Sequence, residues 1–135
     1  MLTFITLLSG GLVAGLDAGL IYNSFPRMGP GIVPEEYARI TNWWQAVHQN
    51  PAIVQFHHRV LAVLTTGLLV ALAWAARHAA PSLRRATAVM AGIVLVQVAL
   101  GIATLLLQVP VILGVLHQLT GLGVLSAALW AVQRR

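Results

Sequence analysis

Four runs of apolar residues, each about twenty long, constrain this chain more than any other feature. They cover roughly residues 2–22, 54–76, 86–109 and 111–132. A helix rising about 1.5 Å per residue needs ~20 residues to cross ~30 Å of hydrocarbon, so each run has the length of one membrane span. Composition agrees. Of the 135 residues 59% are hydrophobic and 8% charged, whereas a soluble domain of this size carries about 25% charged residues. A chain with so few charges cannot cover itself with polar surface. The expectation is an all-α integral membrane four-helix bundle, a single transmembrane domain over 1–135 with one long outer loop at 23–53.

Net charge is +5, which in a soluble protein would suggest nucleic acid. Here the cations are all arginine and lie almost entirely at the ends of the apolar runs, which argues against nucleic acid as a partner. Arg77, Arg84 and Arg85 flank the second loop, and Arg134 and Arg135 end the chain. The positive-inside rule places that loop and both termini on the cytoplasmic side. The first loop sets Arg27 and Arg39 against Glu35 and Glu36, has no positive excess, and belongs outside. The absence of cysteine excludes disulfides, thiolate metal sites and thioether-linked haem. Met1 leads straight into the first apolar run without a charged region, so that run reads as a helix and not as a removable signal.

The outer loop contains Pro26, Pro30, Pro34 and Pro51 with Gly29 and Gly31, which forbid continuous helix. Within it "PEEYARITNWW" predicts one short helix, with Pro34 at its first position and acids in its first turn. Pro110 ends the third run. A loose internal repeat is also visible. "GLVAGLDAGLIYNSFP" and "QVALGIATLLLQVP" are both rich in small residues and stopped by proline, and each is followed by a helix with a histidine near its start.

Those histidines are His58 and His117. Each lies a few residues into a span that starts outside, roughly 6–10 Å below the outer boundary. Facing helices of a bundle build cofactor sites from side chains at matched depth. Zinc suits the pair poorly, because structural zinc takes about four ligands and catalytic zinc about three. The adjacent His57 points about 100° away from His58. Haem iron needs only one or two axial ligands from the protein. Gly114 and Gly121 share the face of His117 and either leave a flat slot for a porphyrin or let helices pack closely. Arg59, beside His58, either pairs with a haem propionate or meets a lipid headgroup. Gln97, Gly101, Thr104 and Gln108 form a polar stripe on the third helix that either bonds the cofactor or joins helices. Asp17 is the one acid within a run, expected to face protein and pair with an arginine or a backbone amide. His48 and His78 read as solvated loop residues.

Four stretches in order, "LSGGLVAGLDAGLIYNSFPRMG", "NPAIVQFHHRVLA", "VALGIATLLLQVPVILGVLHQLTG" and "SAALWAV", closely resemble the carboxy-terminal half of haem A synthase. The likeness covers essentially the whole chain and is to the mitochondrial and proteobacterial type without loop cysteines. The resemblance implies one half of an eight-helix fold built from two similar four-helix halves. It implies a bis-histidine haem b held by His58, in the "HR" of "VQFHHR", and His117, in "LHQLTG". It further implies a membrane oxidoreductase converting haem O to haem A during cytochrome oxidase biogenesis, in a bacterial cytoplasmic membrane or the mitochondrial inner membrane.

One departure is large. The family's other half carries a second histidine pair for the substrate and an essential glutamate one turn before its "HR"; here Val54 stands one turn before His58, with Gln55 next. The chain therefore reads as the cofactor half alone, whether fragment, split-gene subunit or half-size protein that dimerises. The implied partners are membrane lipid, haem, the amino-terminal half or a second copy, and by the family's role haem O synthase and oxidase assembly factors. Two further readings stand beside the oxidoreductase: a non-catalytic haem-binding or assembly protein, and a cofactor-free transporter or structural bundle.

Overall fold

The structure, a computed structural model, describes residues 1–134; Arg135, counted above with the cytoplasmic arginines, lies outside the described residues. Five α-helices follow in chain order: α1 (Leu2–Gly15), α2 (Trp43–Gln49), α3 (Pro51–Ala75), α4 (Pro81–Leu106) and α5 (Val111–Val132). Of these, α3, α4 and α5 are long and apolar enough to cross a membrane. The all-α membrane architecture expected from the apolar runs is what the chain adopts.

The first run departs from its expected bounds of 2–22. Helix α1 has 14 residues, about 21 Å, because the chain turns at Leu16 and Asp17 and resumes as a 3₁₀ turn at Ala18–Leu20. Asp17 sits at φ 49, a left-handed conformation that aspartate tolerates better than most residues. It is exposed and its side chain makes no capping bond, so the protein-facing pairing expected for it does not occur. Helix α3 starts earlier than expected. Pro51 occupies its first turn and the Asn50 Oδ1 accepts from the amides of Ala52 at 3.1 Å and Ile53 at 3.3 Å, a cap that contributes about 1 kcal/mol. The predicted helix over "PEEYARITNWW" is two pieces. A 3₁₀ turn at Glu35–Arg39 ends at Ile40, and α2 begins anew behind Asn42, whose Oδ1 accepts the Gln45 amide.

The four long elements close into a ring: α1 packs on α3, α3 on α4, α4 on α5, and α5 back on α1. Toward one end the core is apolar and closely packed, with Leu69 of α3, Ala86, Met90 and Val94 of α4, and Val124, Ala127 and Ala131 of α5. Alanine at these contacts lets helix backbones approach, as membrane bundles require. Leu, Val, Ile and Phe side chains on the outside of the ring are exposed, which suits a lipid solvent.

The opposite end is tied by polar and strained contacts. Gln108 and Val109, between α4 and α5, both have left-handed φ, 60 and 58. Such a conformation is a genuine outlier for a β-branched valine, and the Val109 amide bonds the Thr104 carbonyl at 2.8 Å. A Cβ on Gly19 would lie 2.9 Å from Val109 Cγ2, so only glycine allows that approach. Asn23 Nδ2 then bridges the carbonyls of Gly19 at 2.8 Å and Leu105 at 3.0 Å, joining the first hairpin to the second. The fold therefore sets α3 and α5 opposite one another across the ring, each packed between α1 and α4.

Candidate functional site

His58 of α3 and His117 of α5 meet inside the ring. Their imidazole centroids are 6.4 Å apart and their planes perpendicular. Each ring is held through Nδ1 from another helix, His58 from α1 and His117 from α4. His58 Nδ1 lies 2.8 Å from Ser9 Oγ on α1, and that hydroxyl donates its proton to the Thr6 carbonyl at 2.7 Å. Keeping both bonds requires Ser9 to accept from His58, with the His58 proton on Nδ1. His117 Nδ1 faces the Gln97 carbonyl of α4 at 3.2 Å. A carbonyl can only accept, so His117 also carries its proton on Nδ1. In both rings Nε2 keeps its lone pair, the state in which imidazole ligates a metal, and that of His117 lies 3.5 Å from the Gln97 side-chain amide nitrogen.

Glycine makes room for each ring. A Cβ on Gly10 would lie 3.1 Å from His58 Cε1, and one on Gly101 would lie 2.7 Å from His117 Cε1. The two hairpins thus share more than the sequence repeat suggested. Gly10 stands seven residues before the left-handed Asp17, and Gly101 seven before the left-handed Gln108. Ser9, Gly10 and the ring-cradling role of Gly101 escaped the sequence reading, although superposing the two repeats on their turns would have exposed the glycines.

The remaining expected site residues separate. Gly121 is buried against Gln97 Nε2 and Leu7 Cδ1, so it serves close packing between helices. Gly114 has open space where its Cβ would be, so only this side of His117 leaves a slot. Arg59 spends its terminal nitrogens on the outer loop: Nη1 donates to the carbonyls of Ser24 at 2.9 Å and Arg27 at 3.3 Å, and Nη2 to that of Tyr22 at 2.8 Å. Its Nε is buried without a partner. His57 turns to the loop, where its Nε2 bonds the Tyr37 hydroxyl and its ring packs edge-on to Tyr37. His48 stacks beside Trp44 and bonds Gln49, and His78 is exposed. Of the stripe on α4, Gln97 and Gly101 reach His117. Thr104 bonds its own helix at Leu100, and Gln108 is exposed in the turn.

Two imidazoles this close limit what the site can hold. Among the described residues no group of three or more His, Cys, Asp or Glu could bind a bare metal ion. A ring nitrogen lies ~1.1 Å from its centroid and metal–imidazole bonds run about 2 Å, so two imidazoles that shared one metal between them would have centroids up to about 6 Å apart. The observed centroid separation of 6.4 Å is long enough for one metal between the rings, and a metal whose other ligands come with it, as in haem, would need no further ligand from the protein. Among the described residues three buried side-chain atoms, Gln55 Oε1, Arg59 Nε and Gln97 Oε1, lack partners within the protein, and such atoms ordinarily find one.

Comparison with known proteins gives the family. A family model described as a cytochrome oxidase assembly protein, COX15-CtaA, matches residues 1–129. The heme A synthase COX15 of Mus musculus is 45% identical over 132 residues, covering 96% of this chain and 32% of the relative. The heme A synthase of Nitrosospira multiformis is 42% identical over 96% of the chain and 37% of its own length. That of Brucella anthropi is 43% identical over 88% and 34%. The chain thus spans about a third of the length of the curated relatives it matches. No solved structure matches it. The polar interior, the paired histidines and the extended sequence match point the same way: the chain is an integral membrane member of the COX15-CtaA family of cytochrome oxidase assembly proteins.

Proposed function

We propose that this chain is the haem b-binding part of a haem A synthase, with His58 and His117 as the two axial ligands of one iron. The observation that carries the reading is the pair itself: ring centroids 6.4 Å apart, each ring bonded through Nδ1, with the Gln97 side-chain amide, 3.5 Å from His117 Nε2, the group that would give way to iron. A bis-histidine haem, when bound, supplies one-electron transfer. The protein's part is to hold and orient. Gly10 and Gly101 admit the rings, Gly114 leaves space along α5, and the orphaned Nε–H of Arg59 is the donor remaining for a propionate. The arginine distribution supports an outer-side position for this end of the bundle, and the membrane proposed is a bacterial cytoplasmic or mitochondrial inner membrane. The oxidation of haem O to haem A then belongs to an assembled protein in which a further segment or a partner chain supplies the substrate side.

One observation favours a second reading for the chain alone, a non-catalytic haem carrier. Its carboxylates are Asp17, exposed at a turn, and Glu35 and Glu36 in the outer loop, with Glu36 accepting from the Tyr22 hydroxyl at 2.9 Å. None stands beside His58 or His117, where a general acid–base would have to lie within hydrogen-bond reach of what it serves. The test of haem binding is a reduced-minus-oxidised spectrum of the purified chain with pyridine haemochrome identification. A low-spin haem b spectrum lost in both His58→Ala and His117→Ala is expected. A chain that purifies without haem from haem-replete cells, or a spectrum that survives either substitution, sinks the reading.

A further inference from the structure

We infer that Ser9 is the positioning residue of His58, fixing its tautomer and strengthening its Nε2 as a donor. Its consequence for iron rests on the haem reading above; the tautomer itself does not. Ser9 Oγ touches two groups, the Thr6 carbonyl at 2.7 Å and His58 Nδ1 at 2.8 Å. A hydroxyl has one proton, and a carbonyl can only accept it. While it donates to the carbonyl the hydroxyl can only accept from imidazole, and the ring adopts the Nε2–H form only if Ser9 turns its proton to Nδ1 and gives up the Thr6 carbonyl.

The acceptor is itself held. One turn along α1, Thr6 Oγ1 bonds Thr65 Oγ1 of α3 at 2.6 Å, and Thr65 is buried. His58 and Thr65 are two turns apart on α3, Thr6 and Ser9 one turn apart on α1. The four residues close a polar stitch between the two helices, and Gly10 at the adjacent position lets the imidazole reach it. The second half repeats the device in different chemistry. At His117 the acceptor is a backbone carbonyl, that of Gln97, which no substitution removes. Ser9 is thus the one Nδ1 partner in the pair that a side-chain change can delete, and it makes the two ligands electronically unequal. A hydrogen bond from Nδ1–H raises ligand basicity, which favours the oxidised metal and lowers its reduction potential.

The experiment has two arms on the chain in detergent. In the first, without haem, 15N NMR of histidine-labelled protein reads the tautomer of His58. The wild type should show Nδ1 protonated and Nε2 bare, Ser9→Ala a mixture of tautomers, and Ser9→Thr the wild-type pattern, with His117 unchanged throughout. His58 remaining fully in the Nδ1–H form in Ser9→Ala, or found as Nε2–H in the wild type, overturns the inference. In the second, the haem-loaded chain is titrated. Ser9→Ala should keep its haem with a raised midpoint potential, restored by Ser9→Thr, and an unchanged potential overturns the role toward iron. If the wild type holds no haem, the haem reading fails while the tautomer arm still decides the role of Ser9. Ser9→Cys, which keeps the volume and replaces the hydroxyl with a weak acceptor, is read by the same criteria should Ser9→Ala fail to accumulate.

Discussion

Adding one methyl group at Gly101 should loosen the site more than the same change elsewhere on α4. A Cβ there would lie 2.7 Å from His117 Cε1, 3.3 Å from Nδ1 and 3.4 Å from Nε2. The ring must retreat by about 0.7 Å to reach ordinary contact, and close-packed sites resist such overpacking at a cost of about 1–3 kcal/mol. Retreat also stretches the 3.2 Å bond from Nδ1 to the Gln97 carbonyl, whose loss costs about 1 kcal/mol. Alanine returns about 1 kcal/mol of helix propensity. The net is about 1–3 kcal/mol against the positioned ring, or roughly tenfold weaker haem retention per 1.4 kcal/mol. Gly92→Ala on the same helix meets nothing within 4 Å and keeps the propensity gain. Gly10→Ala, with its nearest contact at 3.1 Å, falls between them. The assay is titration of haem into apoprotein in detergent, with the visible spectrum as readout. Equal retention in Gly101→Ala and Gly92→Ala would refute the claim that glycine is required for the ring to enter.

Arg59→Ala removes three bonds to the carbonyls of Tyr22, Ser24 and Arg27, each worth about 1.5–3 kcal/mol as bonds from a charged group; limited proteolysis should then cut the outer loop many times faster, and an unchanged rate would show the clamp to be idle. His57→Ala should leave the haem spectrum intact and disturb only the Tyr37 packing, so a lost haem signal would mean the axial ligand is misassigned. A cysteine at Glu36 should react with an impermeant maleimide in intact cells; labelling only after permeabilisation would invert the topology. Expressed with haem O synthase in cells lacking haem A synthase, the chain alone should let haem O accumulate; a clear haem A peak on chromatography would show it to be a complete enzyme.

The long elements were legible because a bilayer leaves few options. A run of twenty apolar residues must satisfy its backbone internally, so α3, α4 and α5 follow from hydropathy alone. The same argument overextended the first run. Leu16 and Asp17 turn out of helix in a stretch whose composition barely changes, and hydropathy carries no record of backbone dihedral. "PEEYARITNWW" failed for a related reason. Its helix-start signals were read at Pro34, while the Asn42 cap eight residues later went unnoticed and begins a separate helix.

At the site the histidines were legible because depth along two helices is a one-dimensional quantity, countable from sequence. What holds them was not, because it depends on which backbone groups the fold leaves nearby. Arg59 shows the difference most plainly. Its position beside His58 suggested a carboxylate or headgroup partner, yet its terminal nitrogens are taken by three carbonyls of a loop more than thirty residues away. No pattern of residue types announces an unpaired carbonyl. Gly121 shows the converse. Its spacing from His117 was right for a slot, but Leu7 and Gln97 arrive from two other helices to fill it. Ser9 lies between these cases. Its hydroxyl could be seen, but its meaning comes from the Thr6 carbonyl that claims its proton and so forces it to accept from the ring. A serine on a membrane helix usually bonds its own backbone and does nothing further. Here that ordinary local bond is what gives the distant histidine a single tautomer.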